Sequence, residues 1–182
     1  MMIGIQGPQG EIGPQGIQGI QGETGPAGPS GGSATVAFFH ITLVYSSGMW
    51  RTSWTKLTAF SNPPFSLINL GNFTMDYSNS RIIIPTTGYY RISYNFNFTN
   101  KMNGRSTVEI DVYRNGSSYR MKNRGSYMRF WGKQSSSQAS CIRQLNANDY
   151  IEFYYKSFGD GGGGYIELNG GDSSIDINLI HT

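Results

Sequence analysis

Residues 4–31 read GIQGPQGEIGPQGIQGIQGETGPAGPSG, with a glycine at every third position. The ten glycines are Gly4, Gly7, Gly10, Gly13, Gly16, Gly19, Gly22, Gly25, Gly28 and Gly31. A triple helix of polyproline-II-like chains requires this spacing, because each residue that meets the shared axis has room for a hydrogen atom only. The repeat therefore predicts a collagen-like stalk over residues 1–32, formed by three parallel chains, and a separate head over residues 33–182.

The residues between the glycines indicate where such a stalk could be made. All four stalk prolines directly follow a glycine, and the next position, which holds hydroxyproline in animal collagens, contains no proline. The chain begins Met1-Met2-Ile3 and runs directly into the repeat, without the basic and apolar regions of a secretory signal. We therefore expect a bacterial or viral origin. Without hydroxyproline the rod, about 80 Å long, is marginal alone and depends on the head for its register.

The composition predicts one β-rich head. About 150 residues follow the stalk, the size of a single domain with a covered core. Charged residues make up 14% of the chain and aromatic residues another 14%, which is typical of surface proteins and unlike a disordered chain. Cys141 is the only cysteine, so we expect a buried, reduced thiol and no disulfide within the chain. No apolar stretch approaches the ~20 residues that cross a bilayer, so we expect no membrane insertion.

The sequence pattern changes from a period of three residues in the stalk to a period of two residues in the head. Apolar and polar residues alternate over residues 90–98, 108–112, 151–155 and 175–179, which predicts half-buried strands. Asn115-Gly116 predicts a two-residue hairpin, because both residues tolerate positive φ. Ranges 35–45 and 65–84 supply earlier strands, and no stretch has helical periodicity. The head is therefore predicted to be an all-β sandwich or jelly roll.

Three motifs carry a resemblance to a known family. Residues 84–94, IPTTGYYRISY, resemble the proline, glycine and paired-aromatic strand of the tumour-necrosis-factor-like superfamily, especially the globular heads of complement first-component q chains. Tyr113-Arg114-Asn115-Gly116 resembles that family's hairpin. Residues 145–151, LNANDYI, resemble its Leu-x-x-Gly-Asp-x-Val corner, with Asn148 in place of the glycine. Residues 175–179, IDINL, differ from the Phe-x-Gly-Phe of the animal heads.

The resemblance implies both an architecture and a setting. The family combines a collagen stem with a trimeric TNF-like jelly roll of two antiparallel sheets and about ten strands. Collagen-stalked heads of this kind occur on bacterial spores and on phage and other viral particles. We therefore expect a collagen-like triple helix followed by a trimeric jelly-roll head.

Catalytic and metal-binding patterns are weak in this chain. His40 and His181 are the only histidines, and neither belongs to a catalytic arrangement readable from sequence. The glycines of residues 159–164 lack the Lys-Ser/Thr of a phosphate-binding loop. Asp160, Asp172 and Asp176 lie in or beside glycine-rich turns and are weak candidate Ca²⁺ ligands, since solvated turn carboxylates are the better explanation for them. We expect no cofactor apart from this candidate calcium.

The strongest candidate ligand surface is basic and aromatic. The chain has a net charge of +3, and the stalk contains only Glu11 and Glu23, which leaves +5 on the head. Interrupted alternation after Tyr119 predicts a loop up to Lys133, and its basic and aromatic side chains suit an acidic glycan or a phosphate-bearing polymer. The alternative is an aromatic trimer interface with a solvated basic rim. The candidate ligand residues are Arg120, Lys122, Arg124, Tyr127, Arg129, Trp131 and Lys133.

Taken together, these patterns predict a non-enzymatic homotrimer on a virion surface. The stalk would attach to a capsid or tail protein, and the head would bind a host-surface glycan or protein. A spore-coat or exosporium filament is the first alternative, and a spike-associated polysaccharide hydrolase is the alternative from another class. We expect no nucleic acid as a partner, because a surface appendage seldom meets it.

The repeat generates a direct test. We expect Gly16→Ala to weaken the stalk locally, because a methyl group has no space at the axis of a triple helix. Trypsin digestion should cut the mutant stalk faster than the parent stalk, while the thermal unfolding of the head shifts little. Equal protease resistance of the two proteins would show that residues 4–31 do not form a triple helix.

Overall fold

The structure is a computed structural model that describes residues 1, 3–23, 37–46, 49, 51–60, 66–119, 123–159 and 165–182, with no side-chain detail at 123–125 and 165. It divides into two units, Met1–Ser33 and Ala34–Thr182. In the first unit, residues 3–23 are exposed and form neither helix nor strand. Gly25, Gly28 and Gly31 lie outside the described residues. The triple helix and the trimer stay predictions from the repeat.

The second unit is all-β, as predicted, with short turns between most strands. One turn of 3₁₀ helix covers Gly170–Asp172, and no described helix is long and apolar enough to span a bilayer. The strands are β1 Phe38–Thr42, β2 Thr55–Lys56, β3 Ser66–Leu70, β4 Thr74–Asp76, β5 Arg81–Ile83, β6 Gly88–Lys101, β7 Ser106–Arg114, β8 Ser117–Ser118, β9 Asn123–Met128, β10 Gln134–Leu145, β11 Tyr150–Gly159, β12 Tyr165–Leu168 and β13 Ser174–His181.

The strands form two antiparallel sheets. The first sheet has the order β10-β6-β13-β1-β3, with β12 also pairing with β6, and the second has the order β4-β5-β11-β7-β8, with β2 on β11 and β9 on β7. The pairs β1–β13, β5–β11, β6–β10 and β7–β9 are nested, so early strands pair with late ones. Nested pairing across two sheets is the jelly-roll arrangement, which confirms the predicted fold of the head.

The core lies between the two sheets, and an aromatic cluster occupies its centre. Tyr94 stacks on Phe96 of the same strand with ring centroids 4.8 Å apart. Phe153 of β11 meets both rings edge-on, at 5.8 and 5.5 Å. Loss of solvent raises the pKa of Tyr94 to about 12, so its hydroxyl stays neutral at physiological pH. The predicted alternation of residues 90–98 is confirmed, since every second side chain faces this core.

The three family-like motifs meet at one end of the head. The backbone N–H of Ile84 donates to the carbonyl of Asp149, and that of Asn148 donates to the carbonyl of Ile84. Asn115 donates to the Asp149 carboxylate through Nδ2 at 2.7 Å and accepts a hydrogen bond from the backbone N–H of Tyr150 at 2.9 Å. Residues that are more than 30 positions apart in the chain are therefore held together by one corner.

Positive φ angles explain part of these motifs. Asn115 and Gly116 have φ of 50° and 77°, which confirms the predicted tight hairpin between β7 and β8. Asn148 has φ of 68°, so asparagine adopts the left-handed conformation at the position where the family carries glycine. Glycine is required at position 88 for a different reason, because a Cβ there would lie 2.6 Å from the carbonyl oxygen of His181.

Asp149 is the charged centre of this corner. Arg114 lies 2.8 Å from its carboxylate, and the backbone N–H of Asn146 donates to it at 2.6 Å. Burial raises the pKa of Asp149, but the hydrogen bonds from Asn146, Asn115 and Arg114 together with the Arg114 charge outweigh this effect and leave the pKa below its usual value. The ionised form is therefore bound more strongly in the folded state.

Two features differ from the sequence-based expectation. The loop predicted up to Lys133 is in part a strand, since β9 covers Asn123–Met128 and pairs with β7. A register shift between Val108 and Ile110 disturbs this pairing, which explains why the alternation of β9 is obscured in the sequence. The 3₁₀ turn at Gly170–Asp172 was also not predicted, because three residues carry no periodic signal.

We expect Asp149→Asn to destabilise the head by about 2–4 kcal/mol at pH 7, because the charge-assisted hydrogen bonds are weakened. The lowered pKa means that the stabilisation is present above the pKa of the unfolded chain, about 4, and is lost as the pH falls through the folded pKa. Urea unfolding at pH 7 and at pH 3 measures both values.

The matched control is Asp172→Asn, an exposed carboxylate in the 3₁₀ turn, for which we expect a change within about 0.5 kcal/mol. A free-energy difference between Asp149→Asn and the parent that is as large at pH 3 as at pH 7 would contradict the role given to the carboxylate charge.

Candidate functional site

The described residues among the predicted ligand residues lie in β9 and in the connection that follows it. Arg120 and Lys122 lie outside the described residues, and Arg124 lies in β9 without a described side chain. Tyr127 is the exposed residue near the end of β9, and Arg129, Trp131 and Lys133 follow in the connection to β10. The role of these residues in ligand binding stays a prediction, and Phe130 is an additional exposed aromatic residue in the same connection.

Asn100 holds this connection in place. The backbone N–H of Gly132 donates to the Asn100 carbonyl at 2.7 Å, and the Asn100 N–H donates to the Lys133 carbonyl at 2.8 Å. The Asn100 side chain accepts from the backbone of Met102 and donates to the carbonyl of Gly104. One fully buried asparagine at the end of β6 thus fixes two neighbouring loops. Sequence reasoning missed this residue, because it follows Phe98 on the inward row of β6, where a polar side chain indicates only that the apolar alternation has ended.

The turn at residues 130–133 presents two aromatic rings to solvent. Phe130 and Trp131 are 58% and 62% exposed, and Gly132 has φ of 75°, which closes the turn. Lys101 Nζ lies 5.5 Å from the centroid of the Trp131 ring, and the Arg129 guanidinium lies 5.6 Å from that of Phe130. Each ring is therefore accompanied by a cation, as at sites that bind ligands carrying both an apolar face and a negative charge.

A groove lies beside this turn on the outer face of the second sheet. Thr107 of β7 pairs with Tyr127 of β9 on one side and with Phe158 of β11 on the other. Side chains of directly paired residues lie on the same face of a sheet. Arg105 and Gly159 complete the lining, and the groove has a volume of about 300 Å³. The two aromatic residues thus form walls on either side of a threonine floor.

The surroundings of the groove are basic. The segments 101–107, 127–133 and 156–159 contain Lys101, Arg105, Arg129, Lys133 and Lys156 and no acidic residue. Lys101 pairs with Glu167 at 2.9 Å, and Lys156 pairs with Glu109 at 3.1 Å. These two contacts neutralise part of the charge, and the described surface keeps a positive excess.

The two calcium candidates that the structure describes, Asp172 and Asp176, each contact other residues of the chain. Asp160 lies outside the described residues, and Asp172 lies in the 3₁₀ turn, where its backbone carbonyl accepts a hydrogen bond from the Asn97 side chain. Asp176 accepts a hydrogen bond from His40 at 2.7 Å. Over the described ranges, no three His, Cys, Asp or Glu side chains are grouped so that they could hold a metal ion.

The His40–Asp176 contact is part of a short polar chain on the outer face of the first sheet. His40 Nε2 lies 3.4 Å from the hydroxyl of Thr42, so hydroxyl, imidazole and carboxylate follow one another as in a hydrolase triad. The 3.4 Å separation is long for such a hydrogen bond. Strand β1 also pairs on both sides, with β13 and β3, so its backbone N–H groups are committed to the sheet rather than to an oxyanion.

Matches between this chain and known proteins come from the comparison of structures. No protein-family model matches the chain, and no curated protein sequence matches it. Among solved structures, the chain is similar to Eiger TNF from S. frugiperda, with a TM-score of 0.48 and 11% sequence identity, covering 80% of this chain and 91% of that chain. The jelly-roll assignment rests on the nested strand pairing described above.

The exposure of the turn leads to a prediction on stability. We expect Phe130→Ala and Trp131→Ala each to change the free energy of unfolding by at most about 0.5 kcal/mol, because neither ring is part of the core. Phe153→Ala, the matched core substitution, should cost about 3–5 kcal/mol. Chemical denaturation of the three variants measures this difference. A loss above about 2 kcal/mol in either turn variant would show that the ring is buried by an interface.

Proposed function

We propose that this chain is a non-enzymatic, homotrimeric surface fibre or head-decoration protein of a virion. Its N-terminal stalk would attach to a capsid or tail protein, and its jelly-roll head would bind a glycan or protein on the host surface. The observation that carries the proposal is an unbroken Gly-X-Y repeat followed by a jelly roll with a basic, aromatic end.

The glycines support the assembly of three chains. A Cβ built at any of the seven described axis glycines, Gly4 to Gly22, would meet no atom within 4 Å. The described part of the single chain therefore offers no steric reason for glycine at these positions. A shared axis between three chains supplies that reason.

The outer face of the first sheet is the surface best suited to chain association. Ile68 and Leu70 of β3, Ile142 of β10 and Tyr89 of β6 are exposed and lie on this face. On the second sheet, by contrast, buried carboxylates are already neutralised, as in the Lys56–Glu152 pair at 2.5 Å. Burying these side chains would remove apolar surface from water, as is typical of the centre of a protein interface.

The position of the basic end supports a role in adhesion. Phe38, the first residue of β1, pairs with Asn178 of β13, and Asn178 pairs with Arg91 of β6. The start of β1 is therefore at the same level along the sheet as Arg91. Asn100, which holds the exposed turn, is nine residues further along β6, so about 30 Å separates the two ends. Within the head, the strand by which the chain enters thus begins at the end opposite to the candidate ligand surface.

A polysaccharide hydrolase is the second candidate, because Thr42, His40 and Asp176 follow the order of a triad. The long Thr42–His40 separation and the use of the β1 backbone in the sheet argue against this activity. An exosporium filament would have the same architecture as a virion fibre and differs in location alone.

The assembly is tested with the full chain and with residues 33–182. We expect light scattering to give the mass of a trimer for both proteins at micromolar concentration, because the head supplies the register of the stalk. The double variant Ile68→Asp and Leu70→Asp should be folded and monomeric, since it places charges on the proposed contact face. A monomeric parent head, or a trimeric double variant, would remove the argument for this face.

The location is tested by immunogold labelling with an antibody against the head, applied to phage particles and to spores purified from the source culture. Gold on particles supports the proposal, and gold on spores alone replaces it with the exosporium filament. Release of reducing ends from host polysaccharide, abolished in His40→Ala, would establish the hydrolase instead.

A further inference from the structure

We propose that the groove between Tyr127 and Phe158 is a binding site for a carboxylated sugar unit of a surface polysaccharide. The inference deepens the adhesive role proposed above and rests on it. It places the ligand beside the turn of Phe130 and Trp131, on the walls and floor formed by β9, β7 and β11.

The walls of the groove are two aromatic side chains that are more exposed to solvent than most aromatic residues nearby. Tyr127 is 55% exposed and Phe158 is 36% exposed, while most described aromatic residues of the neighbouring strands are buried or half-buried. Exposing a ring costs hydrophobic free energy unless a ligand or partner covers it. Thr107, paired with both residues, adds a hydroxyl between them. An apolar ring face with a hydroxyl beside it fits the alternating C–H and O–H groups of a pyranose.

Contacts within the chain hold one wall and the glycine end of the groove in place. Lys156 Nζ lies 5.1 Å from the centroids of both Phe158 and Trp54 and 3.1 Å from the Glu109 carboxylate. At the floor, Gly159 is required, because a Cβ there would collide with the backbone carbonyl of Arg105. Walls that are fixed before binding lose little entropy when a ligand enters.

The charge selects an acidic sugar over a neutral one. The segments 101–107, 127–133 and 156–159 contain five basic residues, of which Lys101 is paired with Glu167 and Lys156 with Glu109, so an excess of three positive charges is left near the groove. Arg105 lines the groove, and Arg129 follows β9 directly after Met128. A guanidinium binds a carboxylate through two parallel hydrogen bonds, which gives direction as well as affinity. The chemistry therefore favours a uronic or sialic acid residue.

The test uses the full-length protein and calorimetric titration with three carboxylated probes: trigalacturonic acid, a hyaluronan hexasaccharide and α2,8-linked trisialic acid. We expect at least one probe to bind, and we expect its methyl-esterified form, which has the same rings without the charge, to bind at least tenfold more weakly. A dT12 oligonucleotide and phosphatidylserine vesicles serve as other polyanions.

Tyr127→Ala should weaken binding of the best probe at least tenfold, and Phe158→Ala should do the same if it keeps the circular dichroism of the parent. The control is Tyr45→Ala, which removes an equally exposed ring, 57%, that does not line the groove and should leave binding unchanged. The exposed position of Tyr127 makes that variant decisive even where Phe158→Ala fails to fold.

The inference is overturned if none of the three probes binds, if Tyr127→Ala binds as tightly as the parent, or if dT12 or the vesicles bind more tightly than every sugar. Failure here is distinct from failure of the proposed function. If the protein is trimeric and labels particles but binds no sugar, the groove proposal alone is wrong. If it binds sugar but does not label particles, the virion location is wrong and the groove proposal stands.

Discussion

The continuous burial of one face of β6 is the constraint on which the head depends. This strand runs from Gly88 to Lys101 and pairs with β10, β13 and β12, so it links most of the first sheet. Its inward side chains include Tyr94 and Phe96, which pack against Phe153 of the second sheet. Shifting the register of β6 by one residue would turn this aromatic row to the outside. The hydrophobic contact between the sheets therefore fixes the register of the strand and, through it, both of its ends.

The two ends of β6 are organised in different ways. At the first end, Asp149 gathers hydrogen bonds from two other segments of the chain and joins all three family-like motifs. At the second end, Asn100 uses its backbone and its side chain to hold two loops, one of which exposes Phe130 and Trp131. The first end is closed and ion-paired, and the second presents rings and cations to solvent. This asymmetry makes the second end the better place for recognition.

The outer faces of the two sheets also differ in physical character. The second sheet carries buried carboxylates such as Glu109 and Glu152, each paired with a lysine. Such pairs are satisfied within one chain and gain little from a partner. The first sheet exposes Ile68, Leu70 and Ile142, with Arg91 and the His40–Asp176 pair on the same face. A stalk that is predicted to need three chains and a head with exposed aliphatic residues on one face fit the proposed single assembly.

The sequence by itself determined the features that depend on local periodicity. Three local patterns each reflect a constraint between near neighbours: glycine at every third position, the alternation over residues 90–98, and Asn115-Gly116. From these patterns the stalk, the central strand and the hairpin could be predicted. The motifs also indicated a jelly roll. Only the tertiary structure decided that Thr107 lies between Tyr127 and Phe158, and that Asn100 holds the exposed turn. These contacts join residues 20 to 51 positions apart in the chain. They arise from the pairing of strands that are distant in the sequence, which no local pattern of residues encodes.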